Sequence, residues 1–225
     1  MRCACAVRLR AVGDRLRPLW DFDDLDGTEQ RFRAQLEQEG TDEGRAEVMT
    51  QLARVLGLRE HFAEGDRLID EAAALAGESV IPRIRVLLER GRLRRSSGDV
   101  SGALPLFESA FEAASETGEM FLAADAAHMA ALAARDRQGM LAWTDKGTGI
   151  AEGSSDPQVY YWLGPLLNNL GSAYMDSREY EKALDCFQQA LEVRKRYPEN
   201  PGAIQFAKES VAEALAALGR HDEAV

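Results

Sequence analysis

Small residues recur in register along this chain, and that recurrence limits what it can fold into. Gly27, Gly65, Ala103, Ala142, Ala183 and Ala224 lie 38, 38, 39, 41 and 41 residues apart. Seven positions after the first five come Ala34, Ala72, Ala110, Gly149 and Ala190. Twelve positions before the last five come Ala53, Gly91, Ala130, Gly171 and Ala212. A period of about 20–50 residues means stacked units, none of which can bury its apolar face alone. The chain is therefore expected to be a solenoid of repeats rather than a globule with one central core.

The clearest unit runs from Leu167 to Ala190. Leu167, Leu170, Gly171 and Tyr174 form one helical stripe, and Tyr180, Ala183, Leu184 and Phe187 form a second that continues to Ala190 and Leu191. The segment from Met175 to Glu179 between them is long enough only for a turn joining antiparallel helices. Helices approach to about 8–10 Å only where a small side chain leaves room. Gly171 and Ala183 are expected to face each other across the pair, and Ala190 to let the next unit close down.

The order of bulky, small and aromatic residues at Leu167, Leu170, Gly171, Tyr174, Tyr180, Ala183, Phe187 and Ala190 is similar to the tetratricopeptide repeat. Residues 51–72 and 89–110 match the same pattern. Residues 126–149 match it least, with Lys146 where an apolar residue is expected, and Ala212, Leu215, Gly219, Glu223 and Ala224 begin a further unit. The long C-terminal repeats resemble those of kinesin light chains. The resemblance implies an all-α, right-handed superhelix of antiparallel helix pairs. The expected organisation is a basic, disordered tail over 1–22 and one domain over 23–225. That domain has a capping helix at 24–40 and repeats starting near 46, 84, 123, 164 and 205, the last truncated. Asp156-Pro157 reads as a helix start, and Pro165 either kinks that helix or lies at the start of one beginning near Gly164.

Composition narrows the function. The chain has 27 Lys and Arg against 38 Asp and Glu, a net charge of −11. Residues 1–20 hold five Arg and one Asp, so the remainder carries −15. That Arg-rich start reads as a disordered or misassigned segment, with a targeting presequence as the alternative. No run approaches the length of a membrane span. Cys3, Cys5 and Cys186 make no disulfide framework, which fits a reducing, cytoplasmic setting. The sequence stops at Val225 early in a second helix. The apolar face around 204–218 is then expected to be uncovered, awaiting either a missing segment or a second copy of the chain in a homo-oligomer.

No catalytic constellation is visible. His61, His128 and His221 are far apart and have no metal-ligand spacing, and Cys3-x-Cys5 lacks neighbouring ligands. Lys146-Gly147-Thr148-Gly149 follows no strand and fails the phosphate-loop spacing. No cofactor and no metal is expected, and the chain reads as a non-catalytic protein.

In the family, the concave groove is lined by first helices, and the resemblance places a set of polar residues there. Arg54, Arg85, Arg92, Arg95, His128 and Arg135 fall on one half, and Asn168, Asn169, Glu209 and Glu213 on the other. Arginine's planar fork suits carboxylates. A side-chain amide both donates and accepts, so it can hold the backbone of an extended peptide, as the resemblance implies for Asn169. The expected partner is thus a protein or peptide with acidic residues or a free C-terminus. A half-acidic groove on an acidic chain is a poor fit for nucleic acid. The alternative is a regulatory sensor whose superhelix responds to a signal peptide or small ligand.

Overall fold

The computed structural model describes residues 14–223. Eleven helices account for most of them: α1 (Leu25–Gln38), α2 (Asp42–Leu58), α3 (Phe62–Ala76), α4 (Val80–Ser96), α5 (Val100–Thr117), α6 (Met120–Ala133), α7 (Arg137–Glu152), α8 (Pro157–Tyr160), α9 (Leu163–Asp176), α10 (Tyr180–Arg194) and α11 (Pro201–Ala217). Among the described residues there is no strand. The helices pack as consecutive antiparallel pairs, α2 with α3, α4 with α5, α6 with α7 and α9 with α10, with α1 against α2 and α11 against α10. The architecture is an α-solenoid.

Local chemistry sets the helix ends. Asp24, Thr41, Asp99, Asp136, Asp156 and Asn200 each precede a helix and accept a first-turn N–H with their side chains. Three of the four turns within the pairs hold a left-handed residue, Glu60 (φ 62°) after α2, Gly98 (φ 97°) after α4 and Arg178 (φ 59°) after α9, and Gly219 (φ 73°) follows α11 in the same way. Pro165 lies in the first turn of α9, where a missing N–H costs nothing, and the chain breaks at Tyr161-Trp162 between α8 and α9. It therefore starts a helix rather than kinking one.

The core is a row of linked clusters rather than one centre. Leu88, Ala103, Phe107, Ala110, Ala126 and Ala130 build the middle, and Ala183, Leu184, Phe187, Ala214 and Leu215 build the C-terminal end. Most of the small-residue register is buried: Gly65, Ala72, Ala103, Ala110, Ala183 and Ala190 in second helices, and Ala53, Gly91, Ala130 and Gly171 in first helices. Gly171 lies under the Phe187 ring, with no room for a Cβ.

Three parts of the register differ. In α7, Ala142 and Gly149 are exposed and the buried positions are Thr144, Gly147 and Ala151, two residues further on. Gly147 is the position that leaves room for Leu166 and Ala127. Lys146 then lies outside the core, its ammonium 3.8 Å from the centre of the Trp143 ring. In α1 the buried residues are Thr28 and Phe32, and Ala34 is exposed. Ala212 is only half-buried, and Phe206 on the same helix is 54% exposed. Ala224, like Cys3 and Cys5, lies outside the described residues.

Residues 14–22 differ most from the tail expected there; residues 1–13 of that tail lie outside the described residues. Leu16 is 1% exposed, seated among Phe32, Val48, Leu52 and Val55 at the α1–α2 junction. The Arg-rich composition suggested a solvated tail, but Arg15 and Arg17 have partners on the domain, and Leu16, Leu19 and Trp20 complete the first cluster.

Candidate functional site

The first helices of the pairs, α2, α4, α6 and α9, share one face, and residues 14–22 cross it. Asp14 accepts from Arg85 Nη2 of α4 at 2.8 Å, and its backbone N–H donates to Gln158 of α8. Arg15 pairs with Glu39 at 2.6 Å and with Glu47 of α2 at 3.2 Å. The Trp20 indole N–H donates to Gln51 Oε1 at 2.9 Å, and its ring stacks on Phe22 with centroids 4.9 Å apart. Arg17 reaches the Tyr161 ring, 5.2 Å from its centroid. This strap ties α2 and α4 to the α8–α9 junction.

Beneath it runs a buried charge network. Arg85 lies between Asp14 and Glu47, the latter at 3.0 Å. Burial opposes its charge, but the two carboxylates outweigh burial and raise its pKa. Two turns further along α4, Arg92 bridges Glu89, at 2.6 Å, and Asp125 of α6. Burial likewise disfavours the Asp125 carboxylate, yet the charge of Arg92 holds it below the ordinary carboxylate range. Arg54 is different. Among the described residues it has no ion pair; its guanidinium lies over the rings of Trp20 and Phe22, at 4.9 and 5.3 Å. Burial, and then the like charge of Arg92, push it down to about 10. His128 is pushed down to about 4, mainly by burial, so it is neutral at pH 7. Its ring lies 5.3 Å from that of Trp162.

These side chains surround a cavity of about 170 Å³ between the strap and helices α2, α4, α6 and α9. On the outer side of the strap, a wider cleft of about 1030 Å³ runs past Arg31, Tyr161, Tyr197 and the start of α11. Among the described residues no three His, Cys, Asp or Glu side chains come together in a metal-ligand arrangement.

Residues 165–197, the α9–α10 pair and its flanks, match the tetratricopeptide repeat family. This helix pair is a tetratricopeptide repeat. Among solved structures, the crystal structure of BtubC (BKLC) from P. vanneervenii is similar over 94% of this chain and 87% of its own, with a TM-score of 0.69 and 16% identity. A putative kinesin light chain of Podosopora anserina, described as having nearly identical TPR-like repeats, is similar over 83% of this chain and 92% of its own. Its TM-score is 0.61 and its identity 18%. At such identities the likeness is one of fold. No curated protein matches.

Within this tetratricopeptide-like stack, the residues assigned to the groove separate into two groups. Arg85 and Arg92 are structural: both are saturated by carboxylates of the chain itself. Arg54 and His128 border the cavity. Arg95 lies a turn beyond Arg92 and donates only to the Leu132 carbonyl, at 3.4 Å, while Arg135 is exposed just after α6. Asn168 and Asn169 on α9 each keep one buried amide atom without a partner. Glu209 and Glu213 are exposed on α11, and Glu209 accepts from Gln205 at 2.9 Å.

The sequence reading missed Asp14, Trp20 and Asp125. Asp125 left a signal: it is the one acid of α6, an otherwise almost wholly apolar helix, where an ionised group needs a partner. The Leu-Arg-Pro-Leu-Trp-Asp-Phe run at 16–22 is likewise too apolar for a solvated tail.

Proposed function

We propose that the chain is a non-catalytic protein-binding scaffold. It holds an extended, acidic segment of its partner on the part of the first-helix face that the strap leaves open. One observation carries this reading. Arg85 and Arg92 are neutralised internally, whereas Arg95, a turn further along α4, and Arg135, just after α6, have no carboxylate partner among the described residues. Asn169 lies on α9 two turns beyond Trp162, on the same helical face, with its Nδ2 unpartnered. Arginine forks for carboxylates and an amide for peptide backbone are together what an extended acidic segment requires.

The test is enrichment from a random C-terminal peptide library on the wild type, on Arg95→Glu/Arg135→Glu and on Asn169→Ala. None of these residues holds the fold together, so all three proteins should give the same circular dichroism. Acidic peptides should be enriched by the wild type and bind the double-Glu variant roughly tenfold or more weakly. Asn169→Ala should weaken acidic and neutral peptides alike, because it reads backbone. Enrichment indifferent to both variants would move the partner surface elsewhere.

A further inference from the structure

The cavity under the strap is small, mixed in character and short of one negative charge. Its apolar wall includes Leu88, Phe121, Leu122 and Met129, and the rings of Trp20, Phe22 and Trp162 also border it. Four arginines line it with different surroundings: Arg85 has Asp14 and Glu47, and Arg17, towards the strap, lies over the rings of Phe22 and Tyr161. Arg92 has Glu89 and Asp125, but Arg54 has only the faces of two aromatic rings. Four lining side chains each carry a buried polar atom with no partner among the described residues: Arg92 Nε, Trp162 Nε1, Glu89 Oε2 and His128 Nδ1. Folded proteins leave few such atoms unsatisfied, and four around one space mark a place built for something else to fill.

Size and chemistry narrow the occupant. A cavity of about 150 Å³ lined by apolar side chains accommodates benzene, so about 170 Å³ takes one ring with a short polar substituent. The unpaired guanidinium fork of Arg54 matches a carboxylate. Inorganic phosphate matches poorly, since it would face Glu89 and Asp125 and leave the apolar wall dry. We propose that this cavity binds a small aromatic carboxylate, its ring against Trp162, Phe121 and Met129 and its carboxylate on Arg54. Trp20 and Phe22 roof the site, so a ligand enters by displacing strap residues from α2. The inference does not depend on where a partner peptide binds, because none of Arg95, Arg135 and Asn169 lines the cavity.

The full chain is titrated with benzoate, phenylacetate and indole-3-acetate, and in parallel with benzamide, acetate and inorganic phosphate. Tryptophan fluorescence reports directly, since Trp20 and Trp162 border the cavity while Trp143 packs on Phe111; calorimetry gives the affinity. At least one aromatic carboxylate should saturate the protein below about 1 mM and bind tenfold or more tightly than benzamide or acetate. Arg54→Gln should weaken it roughly tenfold to hundredfold, with Arg54→Lys intermediate. Met129→Phe, which fills the cavity without touching its charges, should abolish binding. Three results overturn the proposal: no saturation by any of the three carboxylates, benzamide binding equally well, or a folded Arg54→Gln that binds unchanged. If Arg54→Gln does not fold, Met129→Phe decides, and retained affinity there overturns it.

Discussion

Replacing Arg92 by Ala is expected to lower the unfolding free energy by about 3–5 kcal/mol. The loss follows from what remains. Glu89 is 2% exposed and Asp125 4% exposed, and among the described residues Arg92 is the only cation that bridges them. Without it, two carboxylates face each other in a space with little water. Arg92→Lys keeps the charge but not the two-sided reach of the guanidinium, so it should recover only part of the loss.

The pH dependence separates this account from simple loss of packing. In the wild type the folded pKa of Asp125 lies below its unfolded value. Its contribution is therefore fully present above the unfolded pKa of about 3.9 and is lost as pH falls through the folded value. In Arg92→Ala the largest charge opposing burial is gone and only the more weakly acting Arg54 is left, so the folded pKa of Asp125 rises. The variant's deficit is then largest at neutral pH and shrinks on acidification. Urea unfolding at pH 7.5 and pH 5 should show the gap narrowing; an equal gap at both would mean that Arg92 matters for its volume and not its charge. His128 adds a slope of its own. Its folded pKa of about 4 is below the ordinary histidine value, so its stabilisation is complete above about 6.5 and is lost as pH falls towards 4. The wild type should lose about 1–2 kcal/mol by pH 5 from this source, and His128→Gln should not.

How far the sequence reveals this molecule depends on which forces are local. Helix pairing is local: caps, turns and the small-residue stripes all lie within one unit, and the solenoid is legible from them. The α7 register was misread because small residues were taken as buried by type. Ala142 and Gly149 are small but lie on the solvent side, while the buried position two residues past Ala142 is held by Thr144. The site is less legible, because its groups pair across units. Glu89 and Arg92 are three residues apart, but Asp125 reaches Arg92 from 33 residues away and Asp14 reaches Arg85 from 71. Position on a first helix was enough to put Arg85 and Arg92 on the face that these helices share. It could not show that their charges are consumed there by Asp14, Glu47, Glu89 and Asp125.

The second large effect concerns the middle of the stack. Phe107 is fully buried, and the Cβ of any residue replacing Gly91 would come within 2.5 Å of its ring. Phe107→Ala should cost about 3–5 kcal/mol. Apart from the strap, this solenoid is held together by contacts between neighbouring units. Weakening this central junction should therefore split one unfolding transition into two, with the strap tryptophan and Trp143 reporting on different halves. Gly91 gives the sharper test, because its effect should change sign. In the wild type, Gly91→Ala gains about 1 kcal/mol of helix propensity but forces a methyl group into the ring, at a cost of about 1–3 kcal/mol. The net result should be destabilising. In the Phe107→Ala background the ring is gone, only the propensity gain remains, and the same substitution should stabilise by about 1 kcal/mol. A double-mutant cycle by urea unfolding measures this coupling, and independent, additive effects would show that the glycine is not there to admit the ring.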